Sequence, residues 1–290
     1  MSEIIDVSSD WLALREEEDS RARSRELAVA AAGAVGAGTT VVHDLGSGTG
    51  SMMRWLAPFL PGPQTWVLHD WNPALTARAV AGAAPVDREG QPVTIRSCGG
   101  ELADLGSDDL DGASLVTASA LLDVLTSEEV RAVVEACVAV GCPVLLSLSV
   151  TGEVRLDPAD PRDDVVKAAF NAHQRRLANE RRLLGPEGGA VARDLFLQAG
   201  WSVRTKHTFW RLSGRDPQLL ERWFDGWVEA ALEQGAELRL EGEGEGEGQG
   251  QGDGEGYRER RSAQQRRGAL SAVVVHVDLL ARPRRRKERS

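Results

Sequence analysis

The sequence predicts an α/β fold built on a doubly wound, mostly parallel sheet. Three observations support this prediction. Short apolar segments alternate with segments of helical spacing. A glycine-rich turn, Gly46-Ser-Gly-Thr-Gly50, joins the first such strand to a helix. The fifth strand, Pro143–Val150, is an almost unbroken apolar run of the kind that is buried on both faces of a parallel sheet.

The predicted strands are short apolar runs bounded by turn residues. In chain order they are Thr39–Asp44, Thr65–Asp70, Pro92–Arg96, Ala113–Ala118, Pro143–Val150, Trp201–Thr205 and Ala272–Leu280. Capping residues mark the helices between them. Asn72 and Pro73 open a helix that Gly82 closes, and Thr126-Ser-Glu-Glu129 is a capping box for a helix that reaches Gly141.

The 290 residues, 42% of them hydrophobic, are predicted to form a single domain. Its parts are N-terminal helices at 10–37, a ligand-binding core at 38–150, cap helices and the sixth strand at 151–240, a Gly/Glu insertion at 241–256, a helix and the last strand at 257–281, and a basic tail at 282–290. The cap consists of amphipathic helices over Asp163–Arg182 and Asp216–Leu232. The insertion has no apolar residue and repeats like charges, so we expect it to be disordered.

Composition excludes some classes of protein and favours others. The net charge of −10 disfavours a nucleic-acid partner because the field of the whole molecule repels phosphates. No apolar run approaches the roughly 20 residues needed to cross a bilayer, and the N-terminus is acidic, so we predict a cytoplasmic protein. Cys98, Cys137 and Cys142 lack metal-ligand spacing, and we predict buried free thiols and no metal site. Basic charge carried almost entirely by Arg, with many Ala, Gly and Val residues, suggests a bacterial source.

The glycine turn and the acids around it predict a nucleoside ligand. Glycine takes positive φ and lets a ligand approach backbone N–H groups. The dinucleotide fingerprint has its third glycine one place later than Gly50, where this chain has Ser51. Asp44 suits a ligand with an ammonium and a sulfonium group better than one with two phosphates. Asp70, 20 residues after Gly50, is placed to accept both ribose hydroxyls, and Asn72 is the better helix cap, which leaves Asp70 free.

Taken together, Asp44-Leu-Gly-Ser-Gly-Thr-Gly50, Asp70 after the second strand, Glu101 after the third and the last strand resemble the class I S-adenosylmethionine-dependent methyltransferases. The resemblance covers most of the chain in strand order, and its specific motifs lie within Thr39–Ala120. It implies a seven-stranded sheet whose last strand is antiparallel and is inserted between the fifth and the sixth. It also implies that S-adenosyl-L-methionine is the cofactor.

The resemblance further implies a cofactor role for particular residues. The turn passes under the methionine moiety, Asp44 lies near its ammonium, Asp70 holds the ribose, and Glu101 with Leu102 borders the adenine amino group. Trp71 either packs on the adenine ring or belongs to the core. The implied cofactor-binding set is Asp44, Gly46, Ser47, Gly48, Gly50, Asp70, Trp71, Glu101, Leu102 and Ser119. Glu101 departs from the aspartate that is commoner in the family and lies in an unusual Gly99-Gly100-Glu101 context.

The methyl acceptor is less clearly encoded. The stretch Thr117–Val124 lacks the Asn/Asp-Pro-Pro-aromatic motif of base-amino methyltransferases, which argues against an adenine-N6 or cytosine-N4 acceptor. His173, on one predicted helical stripe with Val166, Phe170 and Leu177, is the candidate general base, with a satisfied core histidine as the preferred alternative. Further candidates for the acceptor pocket are His207, Trp210, Arg211, Trp223 and Trp227. For the tryptophans, core packing is the preferred interpretation.

Two arginines in the N-terminal helices are also placed near the predicted cleft. Arg15 and Arg23 could reach a ligand carboxylate, although a solvated helix face is the preferred interpretation.

Three functions remain open. The first is a methyltransferase that acts on a small molecule by in-line displacement. The second is an RNA (rRNA or tRNA) methyltransferase that uses the Arg-rich segments Tyr257–Arg267 and Arg282–Arg289 as phosphate contacts. The third is a non-catalytic or dinucleotide-binding protein of similar fold. No membrane partner is predicted, and the sequence does not determine the oligomeric state.

Overall fold

A computed structural model of the chain describes residues 7–36, 38–178, 180–241 and 250–284. The helices are α1 Ser9–Ala22, α2 Arg25–Ala32, α3 Ser51–Leu56, α4 Pro73–Ala81, α5 Ser127–Val140, α6 Asp163–Gln174, α7 Gly188–Gln198, α8 Pro217–Glu241 and α9 Gly250–Arg266. The strands are β1 Thr40–Leu45, β2 Gln64–Asp70, β3 Thr94–Gly99, β4 Leu115–Ser119, β5 Val144–Asp157, β6 Leu177–Ala178, β7 Arg181–Arg182, β8 Ser202–Leu212 and β9 Ser271–Arg282.

The main sheet has seven strands in the order β3-β2-β1-β4-β5-β9-β8. Strands β1 to β5 pair in parallel, while β9 lies between β5 and β8 and is antiparallel to both. The predicted doubly wound, mostly parallel sheet with an inserted antiparallel last strand is therefore confirmed. Its strand order reverses between β1 and β4, where open α/β sheets bind their ligands.

Both faces of the sheet are buried, as the apolar strands predict. Helices α5 and α7 cover one face, where Val134 and Phe196 contact buried residues of β4 and β5. Helices α2, α3 and α4 cover the other face, where Leu27 and Met53 belong to the same apolar cluster as Trp66 of β2. The crossover helices are thus distributed over the two faces in the doubly wound manner.

The capping residues that the sequence marks occupy the expected helix ends. The Asn72 side chain accepts a hydrogen bond from Ala74 N at the start of α4. The capping box of α5 is complete: Thr126 Oγ1 accepts from Glu129 N, and Glu129 Oε2 accepts from Thr126 N. Gly141 ends α5 in the left-handed conformation, with φ of 76°.

A third apolar cluster joins α8 and α9 to the carboxyl end of β8 and the amino end of β9. The amphipathic stripe of α8 is buried there through Leu220, Phe224 and Trp227. Tyr257 and Arg261 of α9 are buried beside it. The two helices thus form a layer of their own at the carboxyl edge of the sheet, on the same edge as the glycine turn and next to the end of β5.

The prediction of one helix over Asp163–Arg182 is wrong for its second half. Helix α6 ends at Gln174, where Arg175 N and Arg176 N donate to its last carbonyls. Strands β6 and β7 then form a short antiparallel hairpin, and Leu177 is 61% exposed instead of lying on the helical stripe. The hairpin is held by a tertiary contact, because Arg181 pairs with Glu129 at the start of α5 with Nη2···Oε2 of 2.6 Å.

Other boundaries also shift. Strands β5 and β8 are both longer than predicted, because they pair with β9 along most of its length. Residues 242–249 of the predicted disordered insertion lie outside the described residues. Residues 250–256 begin α9, so the helix predicted from Tyr257 starts one to two turns earlier. Of the basic tail, residues 285–290 lie outside the described residues.

Candidate functional site

A cavity of about 640 Å³ lies at the carboxyl ends of β1, β2, β3 and β4. The residues that line it from these strand ends are Asp44, Gly46, Ser47, Gly48, Asp70, Trp71, Gly100, Glu101, Leu102, Ser119 and Leu121. Every predicted cofactor-binding residue except Gly50 is in this set. The cavity therefore occupies the place where the strand order reverses.

The glycine turn forms the floor of the cavity in a conformation that side chains resist. Gly46, Gly48 and Gly50 have φ of 60°, 52° and 82°. A Cβ on Gly46 would lie 2.7 Å from Leu121 Cδ1. The turn is pinned by its own backbone, since Ser47 N donates to the carbonyl of His69 in β2 at 3.0 Å. Without side chains at these three positions, a ligand can contact the backbone of the turn closely.

Asp44 lies at the end of β1 and is 1% exposed. Its Oδ1 accepts a hydrogen bond from Thr117 Oγ1 of β4 at 2.8 Å. Its Oδ2 is buried and has no hydrogen-bond partner among the described residues. Burial raises the pKa of Asp44 to about 7, although the Thr117 hydrogen bond and the charge of Arg23 lower it. A buried carboxylate with a free oxygen is a site for a cationic group.

Asp70 ends β2 on the other side of the turn. The sequence predicted a free carboxylate, but Oδ2 accepts from Gly48 N at 2.8 Å and Oδ1 accepts from Asn72 N at 2.9 Å. These bonds link Asp70 to the glycine turn and to the start of α4. Burial raises its pKa, which the two backbone N–H groups oppose. Each carboxylate oxygen can accept a second hydrogen bond, so the pair of oxygens can still hold two ligand hydroxyls.

The loops after β2 and β3 supply an open, partly apolar side of the cavity. Trp71 is 41% exposed and lines the cavity. Of the two predicted positions for this side chain, in the core or against the adenine ring, the core position is therefore wrong. Glu101 and Leu102 also line the cavity, at the start of a single 3₁₀ turn, Leu102–Asp104. An exposed aromatic face beside a leucine and a carboxylate can hold a planar base with a polar edge.

Ser119 at the end of β4 is engaged by an arginine that sequence reasoning assigned to solvent. Ser119 Oγ accepts from Arg23 Nη2 at 3.1 Å and from Arg23 Nε at 3.3 Å. Arg23 lines the cavity from the α1–α2 junction and is 3% exposed, so the predicted solvated face is wrong for this residue. The burial of Arg23 depends on how α1 and α2 pack on the sheet, which no local pattern encodes.

Helix α1 covers the glycine turn. Leu12 lines the cavity, and its Cδ1 would lie 3.1 Å from a Cβ on Gly48. Glu16 of α1 receives two hydrogen bonds of 2.6 Å from Arg54 of α3, which in turn donates to the Thr49 carbonyl. Contacts of this kind fix the N-terminal helices to the turn.

Further parts of the cavity wall come from the N-terminal segment, the segment after β4, the start of α5 and the β6–β7 hairpin. Their lining residues are Val7, Leu12, Arg15, Asp19, Leu121, Val124, Leu125, Thr126, Glu128, Glu129, Glu180, Arg181 and Arg182. Arg15 is paired with Asp19 through bonds of 3.0 and 3.1 Å, and Arg181 is paired with Glu129. This part of the wall therefore combines apolar residues with charged side chains, four of which form two ion pairs.

The other acceptor candidates lie elsewhere. His173 on α6 does not line the cavity; its Nε2 is 3.1 Å from Glu233 Oε2 on α8. Its role as a general base has no geometric support in this cavity. Trp210 and Arg211 belong to β8 rather than to a loop after it, and Trp223 and Trp227 stack in the α8 cluster. None of these residues, nor His207, lines the cavity, so their alternative placement in an acceptor pocket has no support there. The preferred core position is confirmed for Trp210 and Trp227, which are buried.

Several features of the chain outside the cavity serve structural ends. In the Arg-rich segment of α9, Arg258 pairs with Asp225, Arg260 with Asp160, and the buried Arg261 with Asp163.

Cys137 and Cys142 are buried free thiols, and burial raises the pKa of Cys142 to about 11. The described residues contain no group of three or more His, Cys, Asp or Glu side chains that could hold a metal ion. None of the helices that they form has the length and apolar character needed to cross a bilayer.

Comparison with known proteins gives only distant similarities. No protein-family model matches the chain, and no curated protein matches it. Solved structures similar to it include a SAM-dependent methyltransferase from Geobacter sulfurreducens in complex with S-adenosyl-L-homocysteine, with 19% identity, coverage of 97% of this chain and 100% of that one, and a TM-score of 0.43. A cyclopropane-fatty-acyl-phospholipid synthase-like protein from Lactobacillus casei has 13% identity, covers 94% of both chains and has a TM-score of 0.47. A geranyl diphosphate methyltransferase in complex with SAM has 14% identity, coverage of 97% and 92%, and a TM-score of 0.42. The order of the seven strands in the chain itself gives the fold assignment.

Proposed function

We propose that this chain, which has the fold of the class I S-adenosylmethionine-dependent methyltransferases, binds S-adenosyl-L-methionine and transfers its methyl group to a small molecule. The observation that carries the proposal is the pair of buried acids on either side of the glycine turn. Asp44 keeps one buried oxygen that no group in the described part of the chain satisfies, and Asp70 joins the turn to the next helix. A ligand with an ammonium and two ribose hydroxyls satisfies both.

Each part of the cavity then has a counterpart on the cofactor. Asp44 Oδ2 accepts from the ammonium, and the positive charge favours the ionised form of this carboxyl. Asp70 accepts from the ribose hydroxyls, while Trp71, Glu101 and Leu102 border the adenine. Gly46 and Gly48 allow the methionine chain to lie against bare backbone.

When bound, the cofactor would supply a methyl group on a cationic sulfur: a bond from the acceptor to the methyl carbon would replace the S–C bond in line, and the sulfur would leave as a neutral thioether. The chain contributes binding and orientation. Its cover helix α1 and the Arg181–Glu129 contact close the two sides of the cavity, so the acceptor meets the methyl group in a partly enclosed space. The apolar wall of Leu121, Val124 and Leu125 suits the hydrocarbon part of a small acceptor.

A small acceptor is favoured over RNA by the size of the cavity and by the pairing of the arginines of α9. A volume of about 640 Å³ lies within the range of small-molecule sites. The arginines Arg258, Arg260 and Arg261, which an RNA methyltransferase would need for phosphates, are engaged by aspartates. The glycine spacing and Asp44 also disfavour a dinucleotide.

The test is methyl transfer from isotopically labelled S-adenosyl-L-methionine into a cell extract separated into small-molecule and RNA fractions. We expect label in the small-molecule fraction with the wild-type protein and with Asp87→Asn, which replaces a buried aspartate outside the cavity. Asp44→Asn should lose this labelling. Label confined to RNA would support the RNA alternative and contradict a small acceptor.

A further inference from the structure

Arg23 is a buried cation whose guanidinium is only partly paired. Its side chain is 2% exposed. Nη2 donates to Ser51 Oγ at 2.9 Å, and Nε and Nη2 share Ser119 Oγ. The Nη1 group is also buried, and nothing in residues 7–36, 38–178, 180–241 or 250–284 accepts a hydrogen bond from it. Two serine hydroxyls thus fix one edge of the guanidinium and leave the other edge without a bond.

Within the described part of the chain, the charge of Arg23 is not matched by a carboxylate of its own. Its ion pair there is a long one, from Nη2 to Asp19 Oδ2 at 3.9 Å. Asp19 is already held by Arg15, through a bidentate pair, and by Trp210 Nε1 at 3.0 Å. Two arginines therefore share one close carboxylate, and a buried charge without a strong partner is costly. A bound anion would complete this arrangement.

The location of Arg23 identifies the kind of anion. Arg23 lines the same cavity as Asp44 and Ser47, and the charges of Arg23 and Asp44 shift each other's pKa. Ser47 Oγ and Asp44 Oδ2 are further buried atoms that lack a partner within the described ranges. An acceptor for a cation and a donor for an anion thus lie together above the glycine turn. A zwitterionic α-amino acid carries both groups on one carbon.

We propose that Arg23 binds the carboxylate of the amino-acid end of the ligand through Nη1, so that the α1–α2 junction selects nucleosides that carry an intact amino acid. This inference rests on the proposed function. Ser51 and Ser119 act as positioning residues that hold the guanidinium in place. The N-terminal helices thereby contribute a specificity-determining side chain to a site otherwise built from the strand ends.

The test compares two ligands that differ only in the carboxylate. Isothermal titration of S-adenosylhomocysteine is compared with that of its decarboxylated analogue, S-adenosyl-3-thiopropylamine, which keeps the ammonium, ribose and adenine. For the wild-type protein we expect S-adenosylhomocysteine to bind about 10- to 100-fold more tightly. Arg23→Gln should remove most of this difference by weakening S-adenosylhomocysteine alone. Arg25→Gln, a change of the same charge on an exposed residue two positions away, should leave both affinities unchanged.

The outcomes separate this inference from the proposed function. If the wild-type protein binds both ligands equally, or if Arg23→Gln weakens both by the same factor, Arg23 has a structural role only and the inference is overturned. If Arg23→Gln does not fold, Arg23→Lys takes its place in the comparison of the two ligands. The wild-type measurement still tests the preference for the carboxylate, because it needs no variant. If the wild-type protein binds neither ligand, the proposed function fails and the inference fails with it.

Discussion

Replacement of Asp44 by asparagine should stabilise the ligand-free protein and weaken ligand binding at the same time. The aspartate is fully buried, and an asparagine side chain at this position can keep the hydrogen bond from Thr117 Oγ1 through its amide oxygen. The substitution therefore changes charge with little change in shape. It also places an amide NH₂ where Oδ2 now lies.

The magnitude follows from the pKa of Asp44. A rise from 3.8 to about 7 corresponds, at 1.36 kcal/mol per pH unit, to about 4 kcal/mol that the ionised carboxyl costs the folded state. The buried amide donor offsets about 1–3 kcal/mol of this if it finds no partner. At pH 8 we expect the free energy of unfolding of Asp44→Asn to exceed that of the wild type by about 1–3 kcal/mol, which corresponds to several degrees in Tm.

The sign of the pH dependence is fixed by the same shift. Because the folded pKa exceeds the unfolded value, the folded state binds more protons between pH 4 and pH 7, and the ligand-free wild-type protein loses stability as the pH rises through that window. The effect of Asp44→Asn on stability should accordingly change sign: at pH 4 the variant loses about 1–3 kcal/mol through its buried amide, and the full net gain is reached above pH 7. Affinity for S-adenosylhomocysteine, which needs ionised Asp44, should rise with pH up to about 7 and then level off.

Thermal denaturation and isothermal titration over pH 5–8 measure both effects, with Asp87→Asn as a matched buried control. Asp87 accepts backbone N–H groups in a loop outside the cavity, so its replacement should lower Tm without changing ligand affinity. Asp44→Asn should lower affinity at pH 8 about 10- to 100-fold. A variant that is less stable than the wild type and binds with unchanged affinity would refute the role of Asp44.

Three further predictions concern the cavity. Asp70→Asn should weaken S-adenosylhomocysteine about tenfold in isothermal titration through loss of charge-assisted bonds, and an unchanged affinity would remove Asp70 from the ribose site. Ligand binding should change tryptophan fluorescence in the wild type, and Trp71→Phe should lose most of that change; a full response in the variant would place the base elsewhere. Gly46→Ala should destabilise the protein by at least about 1 kcal/mol in denaturant unfolding, because of its φ of 60° and the close approach of Leu121, whereas an unchanged midpoint would mean that the turn relaxes.

Much of the fold was predictable because its signals are local. The glycine turn, the Asn72 cap and the Thr126 capping box each act within a few residues, and the structure has them where the sequence indicates. The strand order followed from the family resemblance. The strand ends were less well predicted, since β5 and β8 are extended by pairing with a strand that is distant in sequence.

The errors arose where tertiary contacts override local pattern. No glycine or proline marks the end of α6, and the hairpin that follows is held by Glu129, some 50 residues earlier in the chain. Arg23 belongs to a charged helical segment that reads as solvent-exposed, yet the docking of α1 and α2 buries it against Ser119. The sequence predicted a free carboxylate at Asp70, because the hydrogen bond from Gly48 N joins the glycine turn to the end of β2, which is some 20 residues later in the chain.

The proposed function requires that the cavity at the strand ends binds S-adenosyl-L-methionine. Isothermal titration of the wild-type protein with S-adenosylhomocysteine at pH 8, repeated in the presence of S-adenosyl-L-methionine and then of NADH, measures this binding. We predict saturable binding at one site per chain that S-adenosyl-L-methionine competes away and NADH does not. No binding of S-adenosylhomocysteine, or displacement of it by NADH, would show that the cavity is not a site for this cofactor.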